Sequence, residues 1–294
     1  MATPSKAPGI FASLVASTLL AGIFYLAGRA HASGEVLFSW RILATPVLYA
    51  PLLLHPGGRR ALGMLWARLR SRWWLPFAFL GLAAIISFET WLFMWAPRNG
   101  FGLDSSLGFL LLPICLVLGG RFILRSAISP MQWAVVAMAG LAVTVKITAT
   151  PQLGWVTLAV CLPFTAYFVG RTYWRLDNLA AFGVEMTLAS PLALYFLWDR
   201  PGWEGELGLL IAVGIGSVIA MSAYVGASSM LPIPLFGLLS YVEPMLLVVA
   251  AIILGEQMRG ADAAVYAILA AALALLAFAG FRDMRRLPKP RPGQ

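Results

Sequence analysis

Residues Ser87–Gly100 read SFETWLFMWAPRNG. The run is fit for hydrocarbon as far as Ala96, breaks at Pro97-Arg98-Asn99-Gly100, and holds one carboxylate, Glu89. A long apolar run cut short by proline, glycine and polar residues marks the end of a membrane-spanning helix. The same pattern recurs along the chain. Of the 294 residues, 61% are hydrophobic and 11% are charged, where a soluble chain carries about 25% charged residues. The sequence therefore predicts an all-α integral membrane protein.

A bilayer core of about 30 Å takes roughly 20 helical residues to cross. Cutting the chain at its polar and Pro/Gly punctuation predicts ten spans, near 9–28, 34–54, 75–96, 103–124, 129–148, 153–171, 179–198, 207–229, 232–254 and 260–281. The connections are short, so neighbours in sequence should run antiparallel. Lys6 and the Ala30-His31-Ala32 triplet imitate a signal peptide. The apolar stretch between them is longer than a signal core and nine spans follow, so it is read as a retained helix.

The formal charge of +9 could suggest a nucleic-acid partner, but the basic residues are scattered among short loops and none is expected. Fifteen of them fall on the side of the N-terminus and five on the other. Arg41, inside a span, completes the 21. This bias places both termini of the multi-pass chain in the cytoplasm. Trp66, Trp73, Trp74 and Trp174 on one side, and Trp155, Trp198 and Trp203 on the other, read as interfacial belts.

Ten spans divide into two sets of five, over 1–148 and 153–281, with a basic tail over 282–294. A five-helix half that starts inside ends outside, so a second such half is inverted, a plan that recurs in secondary transporters. One offset superposes Leu107 on Leu238, Pro113 on Pro244 and Val117 on Val248. Pro113 and Pro244 read as helix kinks, either lining a cavity or bending the helix for packing.

Four ionisable residues fall inside spans: Arg41, Glu89, Glu185 and Glu243. Each costs about 2.5–3.5 kcal/mol at a span centre, so partners or a wet cavity are expected. Arg41 and Glu89 lie about 10 Å below the same interface at 1.5 Å rise per residue, on adjacent antiparallel helices. They are expected to pair, as a gate or as a static packing element. Glu243 is expected mid-span without a cation at its depth. It would carry a proton, meet a cationic substrate group, or be held neutral by a neighbour. Glu185 is expected to anchor to Arg171 near the cytoplasm. Arg41, Glu89, Trp91, Tyr167, Tyr241 and Glu243 are the expected lining of a central substrate or proton-coupling cavity.

Cys115 and Cys161 lie far apart in sequence and read as inert buried thiols. No metal site and no cofactor is expected. The histidines, His31 and His55, sit at span ends, and neither DDxxD nor HExxH occurs. The alternative of an intramembrane enzyme acting on a lipid-linked substrate thus lacks its usual residues. No nucleotide-binding loop occurs either.

Several segments carry a family resemblance. WLFMWA at 91–96 with the following RNGFGLDSSLGFLLLPICLVLGG, MQW at 131–133, EMTLASPLALYFL at 185–197 and IPLFGLLSYVEPMLLVVAAIILGE at 233–256 resemble RarD-type transporters of the EamA branch of the drug/metabolite transporter superfamily. Glu185, Pro191 and Glu256 stand on family positions. The resemblance implies a ten-helix inverted-repeat fold and transport of a small organic metabolite or drug-like compound through the inner membrane; with no nucleotide-binding loop, export by proton coupling or exchange is the expected mode. It also shows departures. Glu89 and Leu112 stand where the family has asparagine, Ser126 replaces a glutamate, and Ala21-Gly22 replaces a tryptophan-glycine pair.

Overall fold

The computed structural model describes residues 7–286 apart from 126–129, 150–153, 177–178, 201–202, 232–234, 237–238, 240 and 259. Eleven α-helices are described: α1 Ala7–Arg29, α2 Gly34–Leu54, α3 Pro56–Arg70, α4 Leu75–Trp95, α5 Gly102–Phe122, α6 Pro130–Ala149, α7 Trp155–Tyr173, α8 Leu179–Asp199, α9 Leu207–Met230, α10 Val242–Ile253 and α11 Gly260–Arg286. No strand occurs among the described residues.

The molecule is a multi-pass helical membrane protein. Five helices are long and apolar enough to cross a bilayer, and a sixth candidate is α2 taken with α3, which turns away from it by 115°. Residues within α6, α10 and α11 form shorter apolar helices. The spanning helices are apolar all round. They leave Phe11, Phe77, Leu80 and Ile219 on the outside, where lipid would cover them, and hide their hydroxyls internally. Ser39, Thr45, Ser87, Thr90, Ser106 and Ser217 each donate to a carbonyl one turn earlier, which satisfies them without water.

In lipid, helices associate through close van der Waals packing rather than through escape from water. The α5–α7 contact illustrates this. A Cβ on Gly108 would come within 2.7 Å of Val160 Cβ and 2.8 Å of the Thr157 carbonyl, so the two backbones touch there. The principal helix pairs are α1–α9, α2–α8, α5–α7, α6–α11, α2–α9, α1–α10, α5–α10, α4–α8 and α4–α7.

The chain ends of these helices gather at two poles. At the top, Glu206 accepts from the amides of His31 and Ala32 at 2.8 and 2.6 Å, and Lys146 meets Asp262 at 2.5 Å. Glu256 reaches the first residues of α5 there, and the Thr157 hydroxyl donates to the Asp104 carbonyl at 2.9 Å. At the bottom, Arg68 Nε donates to the Trp174 carbonyl at 2.9 Å.

Three expectations need correction. First, the stretch after the second span, read as loop, contains α3. Pro56 opens it at a position where a missing N–H costs nothing. Its Leu65 and Leu69 face inward, while Met64 and Trp66 are exposed. Second, the ninth span is not one uninterrupted helix centred on Glu243. Tyr241 is the N-cap of α10, so Glu243 and Pro244 lie in its first turn. Trp74 and Trp174 pack against each other at 5.8 Å, and Trp203 packs on Trp40 at 5.7 Å. Third, Cys115, read as a buried thiol, is only partly buried; Cys161 is buried, and both are free. Ser126, Pro234, Leu238 and residues 287–294 lie outside the described residues.

Candidate functional site

A cavity of about 710 Å³ runs between α1, α2, α4, α5, α7, α8, α9 and α10. Its upper part is closed: Glu89 is 1% exposed and Phe93 5%. Its lower part is open: Phe168 is 42% exposed, and Ser228 near the end of α9 is exposed too. One wall is a continuous ladder of rings. Phe93 meets Phe109 at 5.7 Å, Phe109 meets Phe164 at 5.6 Å, and Phe164 stacks on Phe168 at 5.9 Å. The sequence reading did not single out these phenylalanines, because a phenylalanine in a span is usually plain packing.

Of the six expected lining residues, Arg41, Glu89, Tyr167, Tyr241 and Glu243 line the cavity, and Trp91 does not. Trp91 lies two positions beyond Glu89, about 200° round the helix. Its indole N–H donates to Glu35 Oε1 at 3.3 Å and its ring stacks on Trp95 at 5.6 Å.

Pro113 and Pro244 both line the cavity, but only Pro113 interrupts a helix. It removes the donor that the Phe109 carbonyl would otherwise use, which loosens α5 at the ring ladder. Pro244, in the first turn of α10, breaks no helical hydrogen bond.

The expected contact between Arg41 and Glu89 is absent. Arg41 lies over the Phe93 ring at 5.0 Å. Its electrostatic partner is Glu243, without a direct ion-pair contact among the described residues. This also corrects the expectation that Glu243 has no cation at its depth. Glu243 sits in the first turn of α10, within electrostatic range of Arg41 on α2. Neither Glu89 oxygen has a hydrogen-bond partner, and both are sealed from solvent. The Phe164 backbone approaches the carboxylate without meeting hydrogen-bond geometry.

Glu185 lies behind the wall rather than on it. Tyr167 donates its hydroxyl to Glu185 Oε2 at 2.7 Å, and Arg171 Nη1 lies 3.2 Å from the same oxygen. Arg171 belongs to the last turn of α7, not to the loop after it, and it reaches the cavity as well.

The top is sealed by groups that the sequence reading passed over because they stand at span edges. Glu35 bridges the Trp91 indole and Arg200, the latter at 3.5 Å. Arg98 donates to the Ala30 carbonyl. Trp95 stacks on Phe101 at 5.5 Å and leans on Trp155 at 5.6 Å. Burial works to raise the Glu206 carboxyl, but the His31 and Ala32 amides outweigh it and hold the group below the usual carboxylate range. Glu256 accepts from the amides of Gly102 and Leu103 at 2.6 and 2.8 Å. Among the described residues no group of side chains could hold a metal ion.

A lipid-embedded helical bundle with a deep cavity, lined by rings and a few buried charges, belongs to the class of membrane carriers. Comparison with known proteins gives the same class. An uncharacterized transporter of Pasteurella multocida is 33% identical over 286 residues, 95% of this chain and 98% of its own. A chloramphenicol-sensitive protein RarD of Pseudomonas aeruginosa is 35% identical over 291 residues, 95% of this chain and 96% of its own. The chain belongs to the RarD family of transporters. One solved crystal structure matches the fold with a TM-score of 0.59 at 18% identity, over 95% of this chain and 99% of its own. No family model matches.

Proposed function

We propose that this protein is a secondary transporter of a small organic solute, built from ten spans as two inverted five-helix repeats over 1–148 and 153–281. Both termini would face the cytoplasm, at the bottom of the molecule, and the membrane would be the inner one. The packing pattern supports the repeat. Let α1, α2, α4, α5 and α6 exchange with α7, α8, α9, α10 and α11 in order. Then α1–α9 exchanges with α4–α7, α1–α10 with α5–α7, and α2–α9 with α4–α8, while α2–α8, α5–α10 and α6–α11 map onto themselves. The α2–α4, α1–α4, α5–α6 and α5–α11 contacts have no such mate among the substantial helix contacts.

The single observation that carries the transport reading is the cavity, lined by both halves, sealed above and open below. That is the shape of one end state of an alternating-access carrier, here the inward-facing one. Rocking of the halves would close the bottom and release the top, with export as the direction and a proton or a second solute as counter-substrate. The Pseudomonas relative's name links that protein to chloramphenicol, which makes an amphenicol a reasonable first solute to try.

The test is counterflow. Purified protein in liposomes preloaded with unlabelled solute should accumulate labelled solute transiently and saturably. Flux that never saturates, with unitary currents, would indicate a channel instead.

A further inference from the structure

Five charged side chains stand in or directly behind the cavity wall: Arg41, Glu89, Arg171, Glu185 and Glu243. Four of them compensate one another. Arg171 and Glu185 are in ion-pair contact at 3.2 Å, and Arg41 and Glu243 act on each other electrostatically without an ion-pair contact, Arg41 Nη1 being buried without a hydrogen-bond partner. Glu89 is left over. Both its oxygens are buried and without a hydrogen-bond partner, and the residue lines the cavity next to the head of the phenylalanine ladder. A buried carboxylate without a partner is costly in an apolar wall. The faces of aromatic rings attract cations and repel anions.

From this charge balance we infer that Glu89 is the counter-ion site for the substrate, and that the substrate is an amphipathic organic cation. Its ammonium group sits at Glu89 and its apolar body lies along Phe93, Phe109, Phe164 and Phe168. The inference rests on the transporter reading and specifies its substrate class. An anionic solute is disfavoured, because three carboxylates stand against two guanidinium groups around the cavity and Arg171 is already in contact with Glu185. The volume of about 710 Å³ lies within the range of sites for drug-sized ligands, about 300–1,000 Å³.

The experiment compares three naphthyl compounds that share a ring and differ in head group: 2-(1-naphthyl)ethylamine, 2-(1-naphthyl)ethanol and 3-(1-naphthyl)propionate. Binding to the purified full-length protein is measured by calorimetry at neutral pH. The amine should bind at least tenfold more tightly than the alcohol, and the acid more weakly than both. Glu89→Gln should erase the amine's advantage and leave the alcohol unchanged, whereas Glu89→Asp should keep most of it. Should Glu89→Gln fail to fold, Glu243→Gln gives an independent reading. It frees Arg41 to compensate Glu89, so amine affinity should fall at least tenfold although Glu89 is intact.

Preference for the acid, equal binding of amine and alcohol, no binding of the amine at millimolar concentration, or an unchanged amine affinity in Glu89→Gln would each overturn the cation site. Saturable counterflow of any other solute would leave the transporter reading standing in all of these cases.

Discussion

Glu185 is wholly enclosed, at 0% exposure, and it survives there because Tyr167 and Arg171 both reach one of its oxygens. Removing one member of a buried pair leaves the other charged without compensation, at a cost of about 3–5 kcal/mol. Glu185→Ala should therefore lower thermal stability in detergent sharply, whereas Glu185→Gln, which retains an acceptor for Tyr167, should lower it less. Equal melting of Glu185→Ala and the parent would mean that Arg171 finds full compensation elsewhere. That Arg171 and Glu185 share a depth could be read from span lengths. Equal depth did not decide the contacts of Arg41 and Glu89, because rise along a helix says nothing about rotation around it. Both residues do face the cavity, but α10 brings a competing carboxylate, Glu243, into range of the guanidinium. The eclipse of Trp91 has the same origin: two positions along a helix are enough to move a side chain from the cavity to the top seal.

Among the elements, α5 has the clearest dependence on a distant part of the chain. Its first amides are capped by Glu256, from the turn after α10, and an acid there also complements the helix dipole. A Cβ at Gly102 would sit 2.6 Å from Glu256 Oε1 and 3.0 Å from the Ala251 Cβ, so a side chain there would push the capping carboxylate aside. Glu256→Ala should cost about 0.5–2 kcal/mol, and Gly102→Ala should mimic it by displacing the carboxylate. Both effects are measurable as lowered melting temperatures, and an unchanged Gly102→Ala would show that the cap tolerates a side chain. Glu206 plays a comparable part for the turn between α1 and α2. Its carboxyl is held below the ordinary range in the folded state, so its contribution is present above the unfolded-state pKa and lost as pH falls through the folded one. Melting temperature should thus drop less on acidification below the usual carboxylate range in Glu206→Gln than in the parent. The helices themselves were legible wherever apolar runs met clear breaks, as at Pro97–Gly100. The arginine-rich stretch that forms α3 was not, since its amphipathic face carries too little apolar length to register as a span. The start of α10 at Val242 was hidden because 232–254 is apolar but for Ser240 and Glu243, with prolines scattered through it, and composition alone does not show where a helix begins.

At the scale of the whole molecule, the seal at the top and the opening at the bottom define a single state, and a carrier must reach another. The ties that would have to break are few and mostly small: the Glu35 bridge to Trp91 and the half-exposed Arg200, the Arg98 contact with Ala30, and the ring contacts of Trp95 with Phe101 and Trp155. An exposed ion pair such as Glu35–Arg200 is worth at most about 1 kcal/mol. The seal is therefore held collectively, and each weakened tie should shift the balance between states rather than abolish folding. Access to the cavity from each side of the membrane can be followed with single cysteines, after Cys115 and Cys161 are replaced by alanine. In the parent background, Ser228→Cys at the open end should react with a membrane-impermeant maleimide applied to inverted vesicles. Thr90→Cys beside Glu89 should resist the same reagent in right-side-out cells. Adding Glu35→Gln, which weakens the bridge to both Trp91 and Arg200, should raise the labelling of Thr90→Cys from the outside several-fold and lower that of Ser228→Cys from the inside. The reciprocal change is the decisive feature, because simple loosening of the bundle would raise both rates together. If both rose, the top seal would be a packing feature and not half of an alternating gate.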